Sequence, residues 1–271
     1  MKTFKAKGQK YTSTLLLILF FFSSCDQIQN KSDTKKVTLA DKYQSYLYGL
    51  YDKGQFNGNA LIIENGEMVF QGTFGISNFN PIDSLKLNSV FRLGSVSKQF
   101  TAMGIMILKE AGKLSYDQDV REFIPELSYQ GITIRHLLNH TSGLPDYTIT
   151  MNEHWKIDLS YDDPERLISG NEDILKMLSE YKPPVHFKPG EKWEYSNTGY
   201  NLLATIISRA SGKAFDEFLQ EHIFTPAEMS NTSVYRYVPG FDEKMPNRVF
   251  GFGTKFNGTD RFSTDFHYLN A

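Results

Sequence analysis

The segment Phe91-Arg92-Leu93-Gly94-Ser95-Val96-Ser97-Lys98-Gln99-Phe100-Thr101-Ala102 lies where strand signals give way to helix signals, and its reading decides the fold. Upstream of it, Ala60-Leu61-Ile62-Ile63 and Met68-Val69-Phe70 flank Glu64-Asn65-Gly66-Glu67. Asn-Gly suits a tight type I′ turn, because both central positions take positive φ there. The pattern predicts a hairpin over residues 59–75, preceded by a helix over 39–51. Downstream, Phe100, Met103, Ile107, Leu108 and Ala111 form one apolar side, and Ala102, Ile105 and Met106 fill the other. A helix apolar on nearly all faces is expected to lie buried at the centre of the molecule. Gly112 can end it in the left-handed conformation.

More helices are predicted over 135–139 and 173–180. Leu202, Leu203, Ile206, Ile207 and Ala210 form a stripe stopped by Gly212. Phe215, Phe218, Leu219 and Ile223 form another, stopped before Pro226. Strands come first and a helix-rich block over roughly 98–225 follows.

Ser95 and Lys98 stand three apart at the start of the central helix, so their side chains project from one face. Free N–H groups and partial positive charge at that helix end favour negative charge on the serine oxygen and disfavour an ammonium. Serine alone is a poor nucleophile and needs a basic partner. Lys98 can serve where burial and nearby positive potential strip its proton. Ser-x-x-Lys occurs three times, at Ser32 and Lys35, Ser95 and Lys98, and Ser179 and Lys182. Only Ser95 has a glycine before it and a long apolar helix after it. The plainer role for Ser95 and Ser97 is helix capping.

The amino-terminal segment differs from the rest. Lys2, Lys5, Lys7 and Lys10 precede the apolar run from Leu15 to Phe22, and Ser23, Ser24 and Cys25 follow. A basic start, a short apolar middle and a small-residue exit read as a secretory signal. The run is far short of the ~20 residues a membrane-spanning helix takes. Cys25 is the only cysteine, so no intrachain disulfide forms. A lone cysteine after Phe-Ser-Ser is similar to a bacterial lipobox, which would make Cys25 the lipidated first residue of the mature chain. The expected organisation is a signal peptide over 1–24, a lipidated cysteine and flexible tether over 25–38, and a folded domain over 39–271. That places the protein in the cell envelope, held to a membrane by a lipid anchor.

The chain of 271 residues carries a formal net charge of −2, with no long run of one sign, whereas phosphate binding needs a concentrated basic face. Nucleic acid is therefore not expected as a partner. Apolar residues make up 40% and charged residues 22%, and 21 Phe and 15 Tyr supply a sizeable core.

The segment from Phe91 to Ala102 resembles the nucleophile segment of the serine β-lactamase/penicillin-binding protein family, closest to its class C branch. Phe187-Lys188-Pro189-Gly190-Glu191-Lys192-Trp193-Glu194-Tyr195-Ser196-Asn197-Thr198-Gly199-Tyr200 is similar to the family's Tyr-x-Asn motif. Between them, His140-Thr141-Ser142-Gly143-Leu144-Pro145-Asp146-Tyr147 reads as a family loop. The resemblance covers roughly residues 40–235. It implies an α/β (α+β) fold of β-lactamase/transpeptidase type, with a mixed antiparallel sheet, flanking helices and an all-helical subdomain. It also implies roles: Ser95 attacks a carbonyl to form an acyl-enzyme, Lys98 accepts its proton, Tyr195 relays a proton to the leaving group, and Asn197 positions the substrate amide. Tyr268-Leu269-Asn270 matches the short motif too. Asn197 doubles as a candidate cap for a helix starting near Thr198.

The chain departs from the family in one respect. After Asn197 there is no Lys-[Ser/Thr]-Gly or His-x-Gly, and Gly253-Thr254-Lys255 has the reverse order. The simplest account is a C-terminally truncated chain with an incomplete sheet, short by on the order of a hundred residues. In the family the strand bearing that motif gives one oxyanion-hole N–H. Losing such a donor costs about 10²–10³ in rate, so the 271-residue form is expected to be a poor, poorly stable enzyme.

The expected function is a serine acyl hydrolase acting on an amide or ester: a β-lactam, a D-alanyl peptide or a small ester. Its substrate would be a small molecule or peptide, with peptidoglycan fragments among the candidates, and the protein a monomer needing no cofactor. The alternative is a non-catalytic envelope binding protein on the same scaffold. A third reading places His136 and His140, four apart on a helix, on a metal ion, but no third ligand suggests itself and no metal is expected. Asp162-Asp163 and Glu172-Asp173 read as solvated charges or helix starts rather than acid/base pairs.

Overall fold

The computed structural model describes residues 37–79, 81–147, 149–150, 170–235, 246–254 and 261–263. Residues Leu39–Ala271 form one compact unit. The basic and apolar leader, Cys25, Asp162-Asp163 and Tyr268-Leu269-Asn270 lie outside the described residues. Among the described residues no helix is long and apolar enough to cross a membrane.

Helix α1 spans Leu39–Asp52 and packs against the hairpin of β1 (Gly58–Glu64) and β2 (Glu67–Phe74). The strands pair antiparallel from Gly58 opposite Phe74 to Glu64 opposite Glu67, with an irregularity between Ile62 and Ile63. Asn65 and Gly66 take φ of 51° and 82°, the mirror-image turn the sequence predicts. Phe70 and Phe74 turn inward and stack with centroids 6.3 Å apart. A second, shorter ladder joins β3 (Ile76–Phe79) to β4 (Ile82–Ser84), and a third joins β5 (Phe252–Thr254) to β6 (Arg261–Ser263). Residues 247–250 return beside Val90 and β3: Val90 N–H donates to Asn247 O, and Phe250 N–H to Ser77 O. Among the described residues the strands make three two-stranded antiparallel ladders, in keeping with the incomplete antiparallel sheet that the sequence implies.

The helical block holds the main core. Its helices are α2 (Lys98–Glu110), α3 (Ile134–Leu138), α4 (Asn171–Tyr181), α5 (Asn197–Ser211) and α6 (Phe215–Leu219). Ile105, Leu137, Ile174, Leu178, Leu203, Ile206 and Phe218 are buried in one cluster. Burying each such side chain stabilises by ~1.5–3 kcal/mol. α5 runs through the middle, touching α2, α3, α4 and α6. Gly104 lets α2 close on α5, since a Cβ there would stand 2.8 Å from Ile207 Cδ1.

Gly112 (φ 68°) and Gly212 (φ 73°) end their helices as predicted. At the first, Lys113 N–H donates to Leu108 O and Gly112 N–H to Lys109 O, the paired bonds of a Schellman cap.

Two expectations are corrected. α2 is not buried on all sides: Thr101, Gly104, Ile105 and Leu108 are buried, but Met103 and Met106 are 45% and 43% exposed. It packs against α5, α6 and the turn after α6. The last apolar stripe is not one regular helix either. α6 stops at Leu219, and Gln220–Phe224 continues as a π turn, which carries the inward-facing Phe224 to the core.

Candidate active site

Ser95 sits on a 3₁₀ turn, Gly94–Ser97, that feeds directly into α2 at Lys98. A 3₁₀ turn has three residues per revolution, so side chains three apart eclipse one another. Lys98 Nζ accordingly lies 3.3 Å from Ser95 Oγ. Neither Leu93 nor Ser97, the cap positions of the turn and of α2, makes a side-chain cap bond, so the plain capping role for Ser97 is not realised. Ser179, by contrast, donates to the Leu175 and Lys176 carbonyls of its own helix.

Tyr195 and Asn197 reach Ser95 from the start of α5. Tyr195 Oη donates to Ser95 Oγ at 2.6 Å. Asn197 Oδ1 accepts from Lys98 Nζ at 2.9 Å. Lys98 Nζ also stands 4.9 Å from the Tyr195 ring centroid and 5.5 Å from that of Tyr200, within cation–π range. The four residues singled out in the sequence are therefore brought together: Lys98 and Tyr195 both meet the Ser95 hydroxyl oxygen, and Asn197 meets Lys98. The cap of α5 is Ser196, whose Oγ accepts from Gly199 N–H at 3.0 Å. Asn197 is the first helical residue and not the cap, which leaves its amide free to face Lys98.

The loop containing residues 140–147 holds this arrangement in place. Thr198 is fully buried; its hydroxyl donates to Pro145 O at 2.7 Å and accepts from Tyr147 N–H at 2.8 Å. Glu194 N–H donates to His140 O, Gly190 N–H to Thr141 O, and His186 N–H to Gly143 O. Gly143 (φ 72°) cannot carry a side chain, because a Cβ would stand 2.1 Å from Phe187 O.

His140 is not a metal ligand candidate in this setting. Its Nδ1 accepts from Ser196 N–H at 3.1 Å, which places the proton of the neutral ring on Nε2. The ring stacks on Tyr195 at 4.7 Å and Tyr200 at 5.1 Å. His136 is spent on the cap of α3, where its Nδ1 accepts from Thr133 N–H. Among the described residues no group of three or more side chains is arranged to hold a metal. Asp173 accepts from Gly170 N–H and so starts α4.

The site's electrostatics are uneven. Burial pushes the Tyr195 phenol up, but hydrogen bonding to Lys98 and Ser95, together with the Lys98 charge, outweighs it and holds the phenol below its ordinary value. The Asp146 carboxylate opposes that lowering. His140 is held below the usual imidazole value by burial and by the Lys98 charge. Tyr200, whose hydroxyl donates to Leu138 O, is pushed up by burial.

The family model described as Beta-lactamase matches residues 44–246. The chain belongs to the beta-lactamase family. It is 44% identical over 211 residues to penicillin-binding protein 4* of Bacillus subtilis, covering 77% of this chain and 44% of that protein. The putative penicillin-binding protein PbpX of Bacillus subtilis is 30% identical over 234 residues, covering 82% of this chain and 51% of that one. The chain thus spans about half the length of these relatives. Among solved structures, a penicillin-binding protein from Bacillus halodurans superposes with a TM-score of 0.69 at 27% identity, covering 83% of this chain and 65% of that one. A class C beta-lactamase gives 0.63 at 20% identity, covering 83% and 58%, and shows likeness of fold.

Sequence reading missed the tasks of His140, Asp146 and Thr198. All three lie in or against the loop recognised at His140, but their partners are far along the chain: Ser196 is 56 residues from His140, and Asn197 is 51 from Asp146.

Proposed function

We propose that this chain is a serine acyl hydrolase that opens an amide or ester through an acyl-enzyme on Ser95. The observation that carries the reading is the convergence of Tyr195 Oη and Lys98 Nζ on Ser95 Oγ, at 2.6 and 3.3 Å. Oγ bonds to the substrate carbonyl carbon, and its proton passes to the Lys98–Tyr195 pair. The pair acts with one proton short of its full complement, shared between Lys98 Nζ and the Tyr195 phenol, so that either the neutral amine or the phenolate can take the serine proton. The pair returns that proton to the leaving nitrogen or oxygen as its bond to carbon breaks. Water then attacks the acyl carbon, gives a proton to the same pair, and Ser95 leaves with its hydroxyl restored. Asn197 orients Lys98 and a substrate amide. A β-lactam, a D-alanyl peptide or a small ester fits this chemistry; the names of the relatives favour the first.

A fluorophosphonate or fluorescent penicillin is expected to label the protein at Ser95, with labelling lost in Ser95→Ala. Equal labelling of Ser95→Ala would refute the reading. Retention on peptidoglycan without turnover would point instead to a binding protein. We also propose, from the leader and Cys25, an exported lipoprotein of the cell envelope. Incorporation of an alkyne fatty acid should then depend on Cys25, and equal incorporation into Cys25→Ala would exclude it.

A further inference from the structure

We propose that Asp146 is a positioning residue for the acylation step, fixing the amide of Asn197 so that its oxygen, not its nitrogen, faces Lys98. The inference rests on the hydrolase reading above. Asn197 Nδ2 donates to Asp146 Oδ2 at 3.1 Å, while its Oδ1 accepts from Lys98 Nζ at 2.9 Å. An amide has two chemically different ends and can turn over. Turned over here, it would aim an N–H₂ at the lysine donors and an oxygen at the carboxylate. Both hydrogen bonds would be lost together. The carboxylate thus selects one orientation and, through it, one position for the lysine nitrogen beside Ser95 Oγ.

The backbone around Asp146 has anchors of its own. Thr198 fixes Pro145 and Tyr147 on either side, and Thr150 N–H donates to Asp146 O. Shortening the side chain should therefore leave the loop in place. The same carboxylate opposes ionisation of Tyr195.

The test uses the purified full chain. In Asp146→Ala, acylation of Ser95 by a fluorophosphonate should slow by about 10- to 100-fold, the usual effect of losing a hydrogen bond to a charged group. Asp146→Asn keeps an acceptor oxygen and should recover most of that rate. Added to Asn197→Ala, the Asp146→Ala change should do nothing more, because its partner is gone. Independently of activity, the side-chain amide ¹⁵N–¹H signals of Asn197, assigned by their loss in Asn197→Ala, should move toward free-amide positions in Asp146→Ala. Unmoved amide signals would overturn the proposal, as would an equal slowing in the Asn197→Ala background. Equal labelling of Ser95→Ala would sink the hydrolase reading alone, since the amide signals still report whether Asp146 holds Asn197.

Discussion

The helical block and the hairpin are both amphipathic, yet they finish differently. In the block, the stripe of α5 is covered all round, and Leu203, Ile206 and Ile207 are fully buried. In the hairpin, only one face is covered: Phe70 and Phe74 turn inward, while Leu61, Ile63 and Met68 are 58%, 58% and 63% exposed. The reactive groups divide along the same line. Tyr195, Asn197 and the loop behind them rest on the well-packed α5, and Ser95 sits exposed on the turn that leads from the strand region into α2. The difference teaches that positioning in this site comes from the helical side.

Several changes would break or sharpen that contrast. The largest effect is expected from Lys98→Ala, which should slow acylation of Ser95 by about 10²–10⁴ while leaving the fold intact; labelling time courses measure it. Next, Leu203→Ala should destabilise by ~2–5 kcal/mol. Leu61→Ala, on the open hairpin face, should stay within about 0.5 kcal/mol, and urea unfolding with an unchanged slope separates the two. Equal losses would erase the distinction between the regions. Ser196→Ala removes the cap of α5 and should lower stability by about 1 kcal/mol.

The smallest effect concerns pH. The His140 value is lower in the folded chain than in the unfolded one, so the unfolded ring binds a proton more readily. Its contribution to stability is present above about 6.5 and is lost as pH falls through the lower folded value. Urea midpoints across that range should drop in the wild type and drop less in His140→Phe.

Much of this was legible in the sequence because it is local. Asn65-Gly66 sets the hairpin turn, Gly112 and Gly212 stop their helices, and Ser95 and Lys98 are joined by one turn of chain. What escaped depends on distant partners or on which neighbours exist. The exposure of Met103 and Met106 is invisible to periodicity, which shows that a face is apolar but not what covers it. The cap of α5 was placed one residue late because Ser196 and Asn197 are both good caps. The tasks of His140 and Asp146 appear only once residues 140–147 lie against the start of α5.

The central claim, that Ser95, Lys98 and Tyr195 share one mobile proton, can be read directly from the Tyr195 phenol by ultraviolet titration. The difference between wild type and Tyr195→Phe should show a phenolate forming below pH 10.0, and Lys98→Ala should move that transition upward. A Tyr195 phenolate forming at its ordinary value, and unmoved by Lys98→Ala, would contradict it.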